Sequence, residues 1–190
     1  MRRIAVSLVG LPGVGKSTVA KQLARSLGFR FVDSDAEIEH RIGCTIREYF
    51  DREGEAKFRD IEQAVIAELL LRPDTVLATG GGVVVREANR QALHKGSVVV
   101  YLRCRPDDLY HRVRHDTRRP LLQVRDPRRK LRDLYVIRDP LYRQTAHFVV
   151  ETKRVSAATL VNMILMQLEL AGLIDAAQVP SPVEPRLSPR

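Results

Sequence analysis

Cysteine is scarce in this chain of 190 residues: Cys44 and Cys104 are the two present. Neither has a partner at metal-ligand spacing, so a disulfide framework and a cysteine-zinc site are both excluded. Each reads as a small buried hydrophobe in reduced form, as expected of a cytoplasmic protein. Long apolar runs are missing too, and nothing approaches the roughly eighteen residues of a membrane span. The opening MRRIAVSLVGLPG has the outline of a signal peptide, but its apolar run ends in a glycine-rich loop instead of a cleavage site, and so reads as a strand. There is no N-K-x-D base-reading motif, which argues against a GTPase. Nor is there an internal repeat, or a linker that would divide the chain before its proline-containing end.

Acid is the minority charge, 23 Asp and Glu against 32 Lys and Arg, leaving +9. Such an excess suggests a nucleic-acid surface until its position is considered. Between Arg112 and Arg132, nine basic residues face only Asp116 and Asp126, so +7 of the excess sits in one segment. A run of this kind is commonly a solvated face. Beside a phosphate site it can instead be a lid that brings arginines to a transferring phosphoryl group.

With 44% hydrophobic residues the chain can bury one core. Apolar runs at Ile4–Val9, Arg30–Val32, Val76–Ala78, Val98–Leu102 and Phe148–Val150 alternate with helix-like segments, which predicts an α/β fold on a parallel sheet. Val19, Leu23 and Leu27 place one stripe on a helix over Thr18–Leu27. A longer helix is expected from about Glu53 to Leu71, ending before Pro73, and a last one over Ala157–Leu170. The domain is expected to span 1–172, and 173–190, with four prolines, to be a disordered tail.

GLPGVGKST, from Gly10 to Thr18, has the G-x-x-x-x-G-K-[ST] spacing of a phosphate-binding P-loop, between a strand and a helix as that motif requires. Backbone N–H groups and the helix N-terminus converge there on an anion, Lys16 reaches the outer phosphates, and Ser17 offers a hydroxyl to Mg²⁺. After the second strand comes VDSDAEIE. A strand persisting through Asp35 would put Asp33 and Asp35 on one face, one to hold Mg²⁺ and the other to orient or deprotonate an acceptor hydroxyl. A helix cap is the alternative. TGGGVV, at Thr79–Val84, suits close approach of bare backbone to a ligand, with Thr79 placed for a water-mediated Mg²⁺ contact. In GEAKFRDIE, Arg59 and Glu62 stand at i, i+3, where a surface ion pair is the ordinary reading and a carboxylate clamp by Arg59 the functional one.

Taken in order, GLPGVGKST, the D-x-D of VDSDAEIE, GEAKFRDIE, the TGGG run, RRPLL at Arg118–Leu122 and RDPLY at Arg138–Tyr142 resemble the shikimate kinases, a P-loop family related to nucleoside monophosphate kinases. The resemblance runs from Ile4 to about Leu170. It implies a three-layer fold, a five-stranded parallel sheet flanked by helices, with a mobile lid over about 112–127. It also implies transfer of the ATP γ-phosphate to the 3-hydroxyl of shikimate with Mg²⁺, a step of chorismate and aromatic amino-acid biosynthesis. The partners implied are small molecules, with no nucleic acid and no membrane, and the protein is expected to be a cytoplasmic monomer. By the same resemblance Gly13, Val14, Gly15, Lys16, Ser17 and Thr18 cradle the nucleotide, with Arg112 and Arg154 as further contacts on that side. Ser17 and Asp33 serve the metal. Lys16, Asp35 and Arg119 carry catalysis, Arg119 from the lid. Asp35, Phe50, Phe58, Arg59, Glu62, Gly80, Gly81, Gly82 and Arg138 form the shikimate pocket. Lys57 departs from the family pattern, in which an acidic or neutral residue is more usual. A kinase with another acceptor (a sugar acid or a nucleoside monophosphate) and a silent shikimate-binding regulatory module are the rival readings. The intact Lys16, Asp33, Asp35 and Arg119, and the expected lack of a helix-turn-helix extension, weigh against the second.

Overall fold

The computed structural model describes residues 4–114, 124 and 126–175. Arg119, the RRPLL run, most of the expected lid and the chain beyond 175 lie outside the described residues. Five parallel strands form one sheet, β1 (Ala5–Val9), β2 (Arg30–Asp33), β3 (Thr75–Ala78), β4 (Val98–Arg103) and β5 (Phe148–Glu151), in the order β2-β3-β1-β4-β5. β1 is buried along its whole length because helices cover both faces of the sheet, which is why its sequence is a continuous apolar run without alternation. On one face lie α1 (Lys16–Leu27) and α7 (Ala157–Leu170); on the other lie α4 (Glu87–Gly96) and α6 (Pro127–Thr145), with α5 (Pro106–Val113) against α6. Register places Leu8 beside both Ala78 and Val100, and Asp33 beside Ala78, so the carboxyl ends of β1, β2 and β3 come out together. In an open α/β sheet that edge, where the strand order reverses, is where ligands bind.

Val19, Leu23 and Leu27 are buried on α1 as their spacing predicts, together with Ala20 and Ala24. Two boundaries depart from expectation. The helix expected from about Glu53 begins earlier, as α3 (Ile46–Leu69), because Thr45 and Glu48 form a reciprocal capping box ahead of the break at Gly54. Gly54, at φ 82° and ψ 169°, breaks the helix without ending it, since only glycine holds that conformation at low cost. At the other end of the chain, residues 173–175 are not loose: Ile174 is buried and the Leu173 N–H donates to Leu168 O. The thiols also differ from each other. Cys104 is buried and its pKa is pushed up by that burial, whereas Cys44 is only half-buried, at the turn between α2 (Ser34–Ile42) and α3.

Where β5 begins, His147 stacks on His94 with ring centroids 4.2 Å apart, and its Nδ1 accepts the Val99 N–H at 3.0 Å. Burial, and then the neighbouring His94, push the His147 pKa below its ordinary value. A histidine whose folded pKa is depressed contributes stability above its unfolded pKa, near 6.5, and loses it as pH falls from there through the folded value. The wild-type protein should therefore lose stability between pH 7 and pH 5.5 relative to His147→Asn, whose Oδ1 accepts the same N–H but does not titrate. Paired urea melts at the two pH values check this; equal pH sensitivity would remove the histidine from the account.

Candidate active site

The loop between β1 and α1 delivers the first component. α1 begins after Gly15 with no side-chain cap, and its N-terminus, where helix N–H groups favour an anion, opens on the loop. Lys16 is buried and its Nζ donates to the carbonyls of Gly10 and Leu11 at 2.8 and 3.0 Å, folding the ammonium back over the loop. Arg112, reaching from α5, donates to Val14 O at 3.2 Å and Thr152 O at 2.9 Å, so it braces the P-loop against the end of β5. Arg154, in left-handed backbone at φ 54°, lies exposed two residues beyond Thr152.

The acidic pair arises by a different geometry from the one expected. β2 stops at Asp33 and α2 starts at Ser34, so strand alternation does not align Asp33 with Asp35. Asp33 is the N-cap, its Oδ1 accepting the Asp35 N–H at 3.1 Å, while its Oδ2 accepts the Ser17 hydroxyl at 2.7 Å. The helix cap weighed in the sequence is present, and it is Asp33 that forms it, with its second oxygen still turned to Ser17. Ser17 and Asp33 thus present hard oxygens side by side next to the phosphate cradle, a donor set that suits Mg²⁺, which takes few protein ligands and retains waters. Asp35 is raised to a pKa of about 6, first by burial and then by Asp33, with Lys16 opposing. Ser34 is buried and its Oγ accepts the Gly80 N–H at 3.0 Å.

The glycine run is where the components meet. A Cβ on Gly80 would lie 2.5 Å from Asp35 Oδ1, one on Gly81 would lie 2.6 Å from the Pro12 ring, and one on Gly82 would lie 2.5 Å from both terminal nitrogens of Arg59. Three successive residues without side chains therefore let Asp35, the P-loop and the arginine close on one short bend. Thr79 is buried just before them, its hydroxyl donating to Leu8 O at 2.9 Å, which leaves the oxygen lone pairs to accept from a water.

Arg59 comes from α3, after the break at Gly54. Its guanidinium lies 5.3 Å from the Phe58 ring and 6.0 Å from the Phe50 ring, and these two rings stand 4.5 Å from each other. The Arg59–Glu62 pair, 2.7 Å, is not on the surface as its spacing alone suggested: Arg59 is 8% exposed and Glu62 1%. Burial pushes the Glu62 pKa up, although Arg59 and Arg138 pull it down, while on Arg59 the pull of Glu62 and Glu55 outweighs the effect of burial and raises the guanidinium. Lys57, by contrast, forms an exposed pair with Glu53 and has no part in the pocket. Arg138, on α6, donates to Gly81 O at 3.0 Å, completing a second cation beside Arg59.

Tyr142 has no role in the sequence reading, yet it is fully buried and its hydroxyl donates to the same Gly81 oxygen, one helical turn from Arg138. The i, i+4 spacing of Arg138 and Tyr142 was the available signal. Behind them, Asp139 accepts from Tyr101 at 2.8 Å and from Arg143 at 2.8 Å, and Arg103 joins Asp139, Tyr135 and Glu151, tying α6 to β4 and β5.

A phosphate cradle, an acidic pair and two arginines around a bare backbone bend are what a small-molecule kinase needs, and comparison with known proteins points the same way. The family model for shikimate kinase matches residues 12–169. The shikimate kinase of Paracidovorax citrulli is 55% identical over 174 residues, covering 90% of this chain and 95% of that protein. That of Burkholderia pseudomallei is 56% identical over 171 residues, covering 90% and 93%. Among solved structures, shikimate kinase from Acinetobacter baumannii in complex with shikimate superposes with a TM-score of 0.85 at 45% identity, over 92% of this chain and 97% of that one. With the P-loop, the acidic pair and the glycine run placed at one sheet edge and these likenesses spanning almost the whole domain, the chain belongs to the shikimate kinase family.

Proposed function

We propose that this protein transfers the γ-phosphoryl group of ATP to the 3-hydroxyl of shikimate, giving shikimate 3-phosphate and ADP within chorismate and aromatic amino-acid biosynthesis. The observation that carries this reading is the convergence on Gly80–Gly82, where Asp35, Pro12 of the P-loop and Arg59 each pack against one glycine. Phosphoryl transfer demands in-line positioning and charge neutralisation more than covalent chemistry. Lys16 and the N–H groups of the P-loop hold the β- and γ-phosphates. Ser17 and Asp33 would hold Mg²⁺, which when bound would supply neutralising positive charge for the transfer. Arg59 and Arg138 fix the acceptor through its carboxylate, and Asp35 accepts a hydrogen bond from the attacking hydroxyl and takes its proton. Arg112 acts on the nucleotide side by holding Val14 in place, and Arg154 is assigned to the same side. The protein acts as a cytoplasmic monomer on small molecules, without nucleic acid or membrane.

ADP release measured with and without shikimate, beside Lys16→Ala and a small panel of sugar-acid and nucleoside monophosphate acceptors, tests the reading. Shikimate-dependent release that Lys16→Ala abolishes is expected, and equal release with another acceptor would overturn it. Arg119 is assigned to the lid by its position in RRPLL. Arg119→Ala should lower kcat, and leave ATP and shikimate KM values little changed, because a cation that meets the phosphoryl group during transfer contributes mainly to the transition state. Wild-type kcat with both substrates saturating would remove Arg119 from the mechanism.

A further inference from the structure

Arg59 is more fully occupied than a waiting anion clamp should be. Its guanidinium has two partners of opposite character. Nη1 donates to Glu62 Oε2 at 2.7 Å, and that carboxylate is 2% exposed at its side chain. Nε and Nη2 both donate to a single oxygen, Oε1 of Glu55, at 3.2 and 2.9 Å, and the Glu55 side chain is 62% exposed. The Nε–Nη2 edge is one of the two forks through which arginine binds a carboxylate with paired hydrogen bonds.

The two acids differ in how readily they can leave. Withdrawing Glu62 would strand a buried arginine beside a buried carboxylate, which is costly. Withdrawing Glu55 exchanges one exposed contact for water, which costs little. Its place in the chain favours movement as well, for Glu55 directly follows Gly54, where the helix of α3 is broken. Charge balance points the same way. Glu55 and Glu62 already both face Arg59, so a substrate carboxylate arriving with Glu55 still in place would bring a third negative group to one guanidinium. With Glu55 gone, the arriving carboxylate replaces a charge of the same sign and the local balance is unchanged.

We propose that Glu55 is an internal competitor for the substrate carboxylate: it occupies the Nε–Nη2 fork of Arg59 in the ligand-free protein and is displaced when the acceptor binds. It thereby determines specificity, because only an acceptor with an anion at the right point can take its place, whereas a neutral analogue leaves the fork closed. The inference rests on the reading of Arg59 as the carboxylate clamp.

The test is Glu55→Gln, which keeps the shape and removes the charge. With ATP saturating, KM for shikimate should fall about two- to fivefold, the size of a partly exposed ion pair, while kcat stays within about twofold. The neutral carboxamide analogue, used as a competitive inhibitor, should show the same inhibition constant in both proteins. Glu55→Ala should reproduce the order, and because the side chain is exposed both variants should melt with the wild type. Calorimetric titration of shikimate without nucleotide reads the same ranking independently of turnover. An unchanged or raised shikimate KM and Kd in Glu55→Gln would show that Glu55 stays on Arg59 in the complex and would overturn the proposal. Wild-type protein that neither binds nor phosphorylates shikimate would instead overturn the proposed function, a result readable before any Glu55 variant is made.

Discussion

Lys16→Ala should lower kcat by about 10²–10³-fold, the usual loss when one preorganised charge is taken from the developing phosphate oxygens of a transition state. The ammonium already stands over the loop that would receive the nucleotide, held by Gly10 O and Leu11 O and shielded from water. Shielding matters because the same charge screened by solvent would contribute far less. Two carbonyls lose a donor in the variant, which costs about 1 kcal/mol of stability, so the protein should still fold and bind shikimate. Steady-state kinetics with both substrates saturating, beside a thermal melt, separate the two effects. Retention of more than about a tenth of wild-type kcat would mean that the β- and γ-phosphates are neutralised by something else.

The P-loop was legible in the sequence because its function depends on backbone geometry, and backbone geometry of that kind requires glycine and lysine at fixed spacing. The sheet was legible because strands covered on both faces need unbroken apolar runs. The nearness of Asp33 and Asp35 was legible, but not its geometry: the period-two rule does not reach past Asp33, where the strand ends and the same residue caps the next helix while accepting from Ser17. Arg59–Glu62 was legible as a pair but not as a buried one, since i, i+3 spacing is the same on either side of a helix and only the packing of Phe50, Phe58 and Gly82 decides which side faces inward. Tyr142 and Glu55 lie inside the RDPLY and GEAKFRDIE runs, but their contacts were not singled out. Glu55 and Arg59 stand at i, i+4, a spacing that allows an ion pair without saying whether it forms in a pocket, and the carbonyl of Gly81 that Tyr142 reaches is remote in sequence.

Asp35 should show the second large effect, and in two opposite directions. Asn has the same shape and can still face the acceptor hydroxyl, but it takes no proton, so Asp35→Asn should reduce kcat by about 10²–10⁴-fold, the range for a positioned base. Shikimate KM should move much less, because the carboxylate contacts through Arg59 and Arg138 remain. Stability should change the other way. An acid whose folded pKa is raised, here from 3.8 to about 6, is held ionised at pH 7 at a cost to the native state, since the unfolded chain gives up the proton more readily. Removing that charge should therefore stabilise the protein at pH 7 by about 1–2 kcal/mol, with the gain shrinking as pH falls below 6 and the wild-type carboxyl is protonated. Urea melts without metal or nucleotide, at pH 7 and pH 5, would show this crossing gain beside the lost turnover. A variant that lost activity and stability together would make Asp35 a structural acid, and the proton would then have to leave the hydroxyl by another route.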